Sequence, residues 1–103
     1  MIRGQLASYG GRTIKREGVH ITNPAAIRKL RAALNSLTHI VGGVGSCPAI
    51  TETARLTFYV REGPAIPVAV DVRCSVTIDR IPLAANGTVG PALHWAVSHQ
   101  TGP

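Results

Sequence analysis

The stretch "ARLTFYVREGPAIPVAVDVRC" (54–74) decides how this chain folds. Leu56, Phe58 and Val60 alternate with Arg55, Thr57 and Tyr59. After "REGPAIP" (61–67) the alternation resumes, with Val68, Val70 and Val72 in phase. Period-two alternation marks a strand with one buried and one wet face. Two such runs around a Gly-Pro turn make a β-hairpin. "SVTID" (75–79) keeps the phase through Val76 and Ile78. One strand over 68–79 would be unusually long, so a break is expected at Cys74.

Upstream, "TNPAAIRKLRAALNSL" (22–37) switches to a helical period. Asn23 is a good N-cap, and Pro24 falls at the first helical position, where its missing N–H costs nothing. Ile27, Leu30, Leu34 and Leu37 form an aliphatic stripe, with Arg28, Lys29 and Arg31 turned away from it. The helix is expected to end near 35–37. Before it, "RTIKREGVHIT" (12–22) reads as one strand, or as a hairpin turning at Glu17-Gly18. Gly10-Gly11 reads as a turn preceded by a short strand. Downstream, "PLAANGTVGP" (82–91) reads as a loop turning at Asn86-Gly87, and "PALHWAVSHQ" (91–100) as a short helix.

The pattern predicts an α+β fold. An antiparallel β-sheet of three to five strands carries one amphipathic helix packed on one face, with a short C-terminal helix. A chain of 103 residues suits a single domain over 1–103 with a modest core. Its aromatic residues are one Trp, one Phe and two Tyr, so aliphatic side chains must fill that core. No apolar run reaches the ~18 residues of a membrane-spanning helix. "MIRGQLASYGG" lacks the apolar region of a signal peptide, so an exported form is expected to be a mature or trimmed chain.

The net charge of +6 sits entirely in residues 1–35. There Arg3, Arg12, Lys15, Arg16, Arg28, Lys29 and Arg31 face only Glu17, while the four arginines beyond are matched by four carboxylates. Such asymmetry suits an anionic partner or, more plainly, a solvated basic face. Arg12, Lys15, Arg16, Arg28, Lys29 and Arg31 are the candidate anion- or partner-binding residues.

"GGVGSCP" (42–48) has the glycines of a phosphate loop but not its lysine, and a strand follows it where a phosphate loop needs a helix. Its glycines suit the end of a helix and a chain reversal. Cys47 and Cys74 have no C-x-x-C neighbours, so no structural zinc site is expected. Two cysteines, one before the hairpin and one at its end, fit a disulfide; the alternative is a pair of buried reduced thiols. His20, His39, His94 and His99 show no metal-ligand spacing, and His94 and His99 fall on different sides of a helix. Glu52, Glu62, Asp71 and Asp79 read as outward residues on strands or turns, too few for acid–base chemistry. No serine lies in a G-x-S-x-G context. The chain is therefore read as not an enzyme, with no cofactor and no metal site.

"NPAAIRKLRAALNSL", "SCPA", "RLTFYV" and "VAVDVRCSV" follow one another over 23–79. In this order they resemble small secreted or lipoprotein-type domains of actinobacteria that have no established function. Those domains carry a "dPAAvxxLxxaLNaL" helix, a "CPA" segment, an "LTF" strand and a "VxVDxxxC" strand. Arg73 stands where they often have Gly, and the loop before Cys47 is poorer in proline. The resemblance implies export and a Cys47–Cys74 bond. It carries over no catalytic or ligand residue.

The expected function is an exported, extracellular or cell-envelope domain that binds a protein or an anionic polymer through its basic face. One alternative is a cytoplasmic nucleic-acid-binding module that uses the same residues. Another is a secreted protease inhibitor presenting "EGPAIP" (62–67). The wet Thr/Arg sheet face also allows a homodimer paired across an edge.

Overall fold

The computed structural model describes residues 1–10, 13–39, 52–72 and 74–101. The elements run β1 (Ile2–Gly10), β2 (Thr13–Ile21), α1 (Pro24–Asn35), β3 (Thr38–His39), β4 (Glu52–Phe58), β5 (Ile66–Asp71), β6 (Ser75–Ile78), β7 (Ile81–Ala84) and α2 (Val89–Ser98). The fold is α+β: one antiparallel sheet in the order β2-β1-β4-β5-β6-β7-β3, with two helices. Among the described residues the sheet has six strands of four residues or more, plus the two-residue β3. That exceeds the expected three to five.

The hairpin around 61–67 forms in the expected phase, with Leu56 opposite Val68 and Ala54 opposite Val70. Its turn is displaced: residues 59–65 connect the strands, and Ile66 and Pro67 already belong to β5. The break at Cys74 also forms. Its N–H bonds the Asp71 carbonyl at 3.1 Å, and β6 returns with Val76 opposite Val70.

Of the two readings of 12–22, the single strand is the one that forms: β2 runs straight through Glu17-Gly18, with Glu17 opposite Leu6 and Gly18 opposite Gln5. Pairing along the whole of β1 holds it extended. The 82–91 segment is not all loop, because β7 occupies Ile81–Ala84. Asp79 and Arg80, at φ 46° and 71°, make the two-residue reversal from β6. Left-handed residues match the right-handed twist of a hairpin. Pro82 lies opposite Thr77, one place beyond the Ile78–Ile81 pair that closes the turn. Its missing N–H therefore turns away from β6.

Helix α1 starts as expected. Asn23 Oδ1 accepts the Ala25 N–H at 3.0 Å, and Pro24 follows the cap. Its buried line is Ala26, Leu30, Ala33 and Leu34, with Ile27 and Leu37 only partly covered. The helix is rotated relative to the expected stripe because small residues let α2 come close; α2 in turn buries Ala92, Leu93 and Ala96. These residues join Ile2, Leu6, Val19, Ile21, Ala54, Leu56, Val68, Val70 and Val76 in one hydrophobic cluster. By strand register all of the strand members lie on a single face of the sheet. No helix among the described residues is long and apolar enough to cross a membrane.

Candidate functional site

The basic candidates occupy two elements. Lys15 and Arg16 lie in the exposed half of β2, at one edge of the sheet. Arg28, Lys29 and Arg31 are exposed on α1. Arg12 lies outside the described residues. Even on α1, Lys29 and Arg31 have separate surroundings. Lys29 Nζ sits 4.9 Å from the Trp95 ring centroid, and that ring stacks on His99 with centroids 4.1 Å apart. Lys29 thus bridges α1 to α2 through a cation–π contact. Arg31 reaches the opposite side, where it lines a cavity.

The cavity has a volume of about 500 Å³. One wall comes from α1: Ile27, Arg31, Leu34 and Asn35. The other comes from the sheet: Ile2, Phe58, Ile66, Val68 and Ile78. Met1 and the β4–β5 connection (Tyr59, Val60 and Arg61) complete it. Among the described residues, Arg31 and Arg61 are its charged lining side chains, and no carboxylate lines it. Alternation explains the sheet wall: Phe58, Val68 and Ile78 share the phase of the core residues but lie toward one end of the strands. Near the last turn of α1, this part of the face is left partly open.

A second pairing was missed from the sequence. Glu52 was expected to point outward. It lies in phase with Ala54 and Leu56, and its Oε1 is 2.6 Å from His94 Nε2. The Glu52 side chain is mostly covered, whereas that of His94 is 61% exposed. Among the described residues, no three or more His, Cys, Asp or Glu side chains stand close enough to hold a metal ion together.

Cys47 lies outside the described residues, so its expected bond to Cys74 does too. No cysteine among the described residues is free. Of the loop expected for protease inhibition (62–67), residues 62–65 are exposed within the 59–65 connection, while Ile66 and Pro67 belong to β5, where Ile66 pairs with Phe58.

The chain matches no family model, no curated protein and no solved structure. The likeness to secreted actinobacterial domains therefore remains one of short motifs.

Proposed function

We propose that this chain is an exported, non-catalytic domain that binds an anionic partner. In this reading Cys47 and Cys74 are joined, and α1 and α2 lie on the apolar face of the sheet. The observation that carries it is the cavity: apolar walls and two arginines, with no carboxylate among the described residues to neutralise them. The layering is supported by the shared hydrophobic cluster, by Glu52 meeting His94, and by Gly90, where a Cβ would lie 2.9 Å from Val72. Export is supported by the absence of a free cysteine among the described residues.

The test is a binding panel of an aliphatic carboxylate, phosphatidylglycerol vesicles, polyphosphate and a single-stranded oligonucleotide, each at low and moderate salt. Binding of at least one anion is expected, weakened by salt and lost in Arg31→Glu/Arg61→Glu. A panel with no binding removes the reading. Binding of the oligonucleotide alone, with a steep salt dependence, would favour the nucleic-acid module instead.

A second reading, a secreted protease inhibitor, is favoured by the uninterrupted exposure of residues 59–65 between two paired strands. Such a loop reaches a protease cleft while its ends stay fixed. A protease panel tests it, with the slowly cut bond mapped by mass spectrometry. A cut near Arg61 would assign the loop. A cut within 40–51 would move the inhibitory segment there, and no inhibition removes the reading.

A further inference from the structure

Three of the five large apolar side chains left exposed among the described residues gather in one place, while Ile14 and Ile81 lie elsewhere. Met1, Tyr59 and Val60, at 40%, 47% and 45% exposure, all line the one cavity that also holds Arg31 and Arg61. Exposed apolar groups gathered around a concavity mark a surface that is covered in use. We propose that the cavity binds a single-chain aliphatic carboxylate, its tail between α1 and the sheet and its head between Arg31 and Arg61. This rests on the anion-binding reading above and names the ligand class.

The dimensions and chemistry agree. About 500 Å³ falls within the ordinary range of small-ligand pockets, which are mostly apolar with a few placed polar groups. Ile27, Leu34, Phe58, Ile66 and Ile78 offer the tail aliphatic and aromatic contact, and no buried side-chain polar atom among the described residues is left unpaired. The head has different needs. A carboxylate must keep hydrogen-bond donors when it leaves water. A guanidinium supplies them as a planar fork that matches the planar carboxylate in two bonds. Arg31 comes from α1 and Arg61 from the β4–β5 connection, so the two donors come from separate elements. A neutral alcohol gains the tail contacts but not the paired charge, and acetate gains the charge but not the tail.

The experiment titrates the full chain with dodecanoate, dodecanol and acetate, below the concentrations at which the first two aggregate. Backbone amide shifts are followed by NMR. Dodecanoate is expected to bind about tenfold or more tighter than dodecanol, and acetate not to bind measurably. The shifted amides should be those of Ile27, Phe58, Tyr59 and Ile66. Arg31→Gln and Arg61→Gln should each weaken dodecanoate about tenfold and leave dodecanol unchanged. Both arginines are exposed, so these variants should fold as the parent does. Equal affinity for acid and alcohol would overturn the proposal. So would indifference to both substitutions, or shifts confined to the opposite sheet face around Thr57 and Thr77. Polyphosphate or vesicles binding without dodecanoate would overturn it too, while leaving the anion-binding reading in place.

Discussion

Asn23 and His99 stand 76 residues apart and are joined by a 3.0 Å hydrogen bond from Asn23 Nδ2 to the His99 carbonyl. The same side chain caps α1 through its Oδ1, and at 7% exposure it is the buried polar residue of the described core. Next to it, the Gln100 carbonyl accepts the N–H groups of Thr22 and Asn23 at 2.8 and 3.0 Å. The start of α1 and the end of α2 thus satisfy one another's unpaired backbone groups.

Replacing Asn23 tests this junction. Asn23→Ala removes both the cap and the bridge and should cost about 2–3 kcal/mol of unfolding free energy, measured in urea. Asn23→Asp keeps the cap acceptor but loses the donor to His99, and should cost about 1 kcal/mol. Equal losses would mean that the cap contributes nothing, and an unchanged stability of Asn23→Asp would mean that the bridge contributes nothing.

Two glycines should respond oppositely to alanine. Gly4 lies in β1 between Val19 and Leu56, where a Cβ would overlap the Arg55 carbonyl and come within 2.8 Å of the Leu56 Cα. Backbone cannot step aside as a side-chain tip can, so Gly4→Ala should destabilise by more than about 2 kcal/mol. Gly18 has nothing within 4 Å of its Cβ position. Gly18→Ala should be neutral, or stabilise by up to about 1 kcal/mol. Thermal melts of the two variants decide it.

The reversal at Asp79-Arg80 holds two residues with positive φ and no glycine. Asp tolerates that region better than Arg does. Asp79→Asn with Arg80→Gly supplies the residues that favour this turn. The double variant should gain about 1 kcal/mol, read as a raised urea midpoint with unchanged slope.

If Cys47 and Cys74 are joined, native protein denatured without reductant should take up no alkylating label. After reduction it should take up two labels, one for each cysteine of the chain. Cys74→Ser should then lower stability by about 3 kcal/mol, as expected for a loop with 26 residues between its cysteines. Two labels without reductant would remove both the bond and the export reading.

Much of the local structure was legible because its causes lie within a few residues. The Asn23-Pro24 pair sets the start of α1, and alternation across 54–72 sets the phase of β4 and β5. The β6–β7 reversal was not legible, since Asp-Arg is a weak turn signal and Pro82 argued against a strand. Ala26 and Ala33 lie outside the expected Ile27, Leu30, Leu34 and Leu37 stripe, yet both are buried. Of the candidate site, the sequence offered Arg31 as one of six basic residues. It offered no reason to join Arg31 with Arg61, Phe58 and Ile78.

By itself, then, the sequence determined where α1 begins, which side chains of the long hairpin share a face, and that the chain reverses at Cys74. Capping, proline geometry and period-two alternation act along neighbouring residues and need no distant partner. Only the tertiary structure decided how many strands join the sheet, which side of α1 is central, that Glu52 meets His94, and that Arg31 and Arg61 share a cavity. Those outcomes depend on contacts between segments far apart in the chain, where burial and packing against the other elements choose among arrangements that local preferences leave equal.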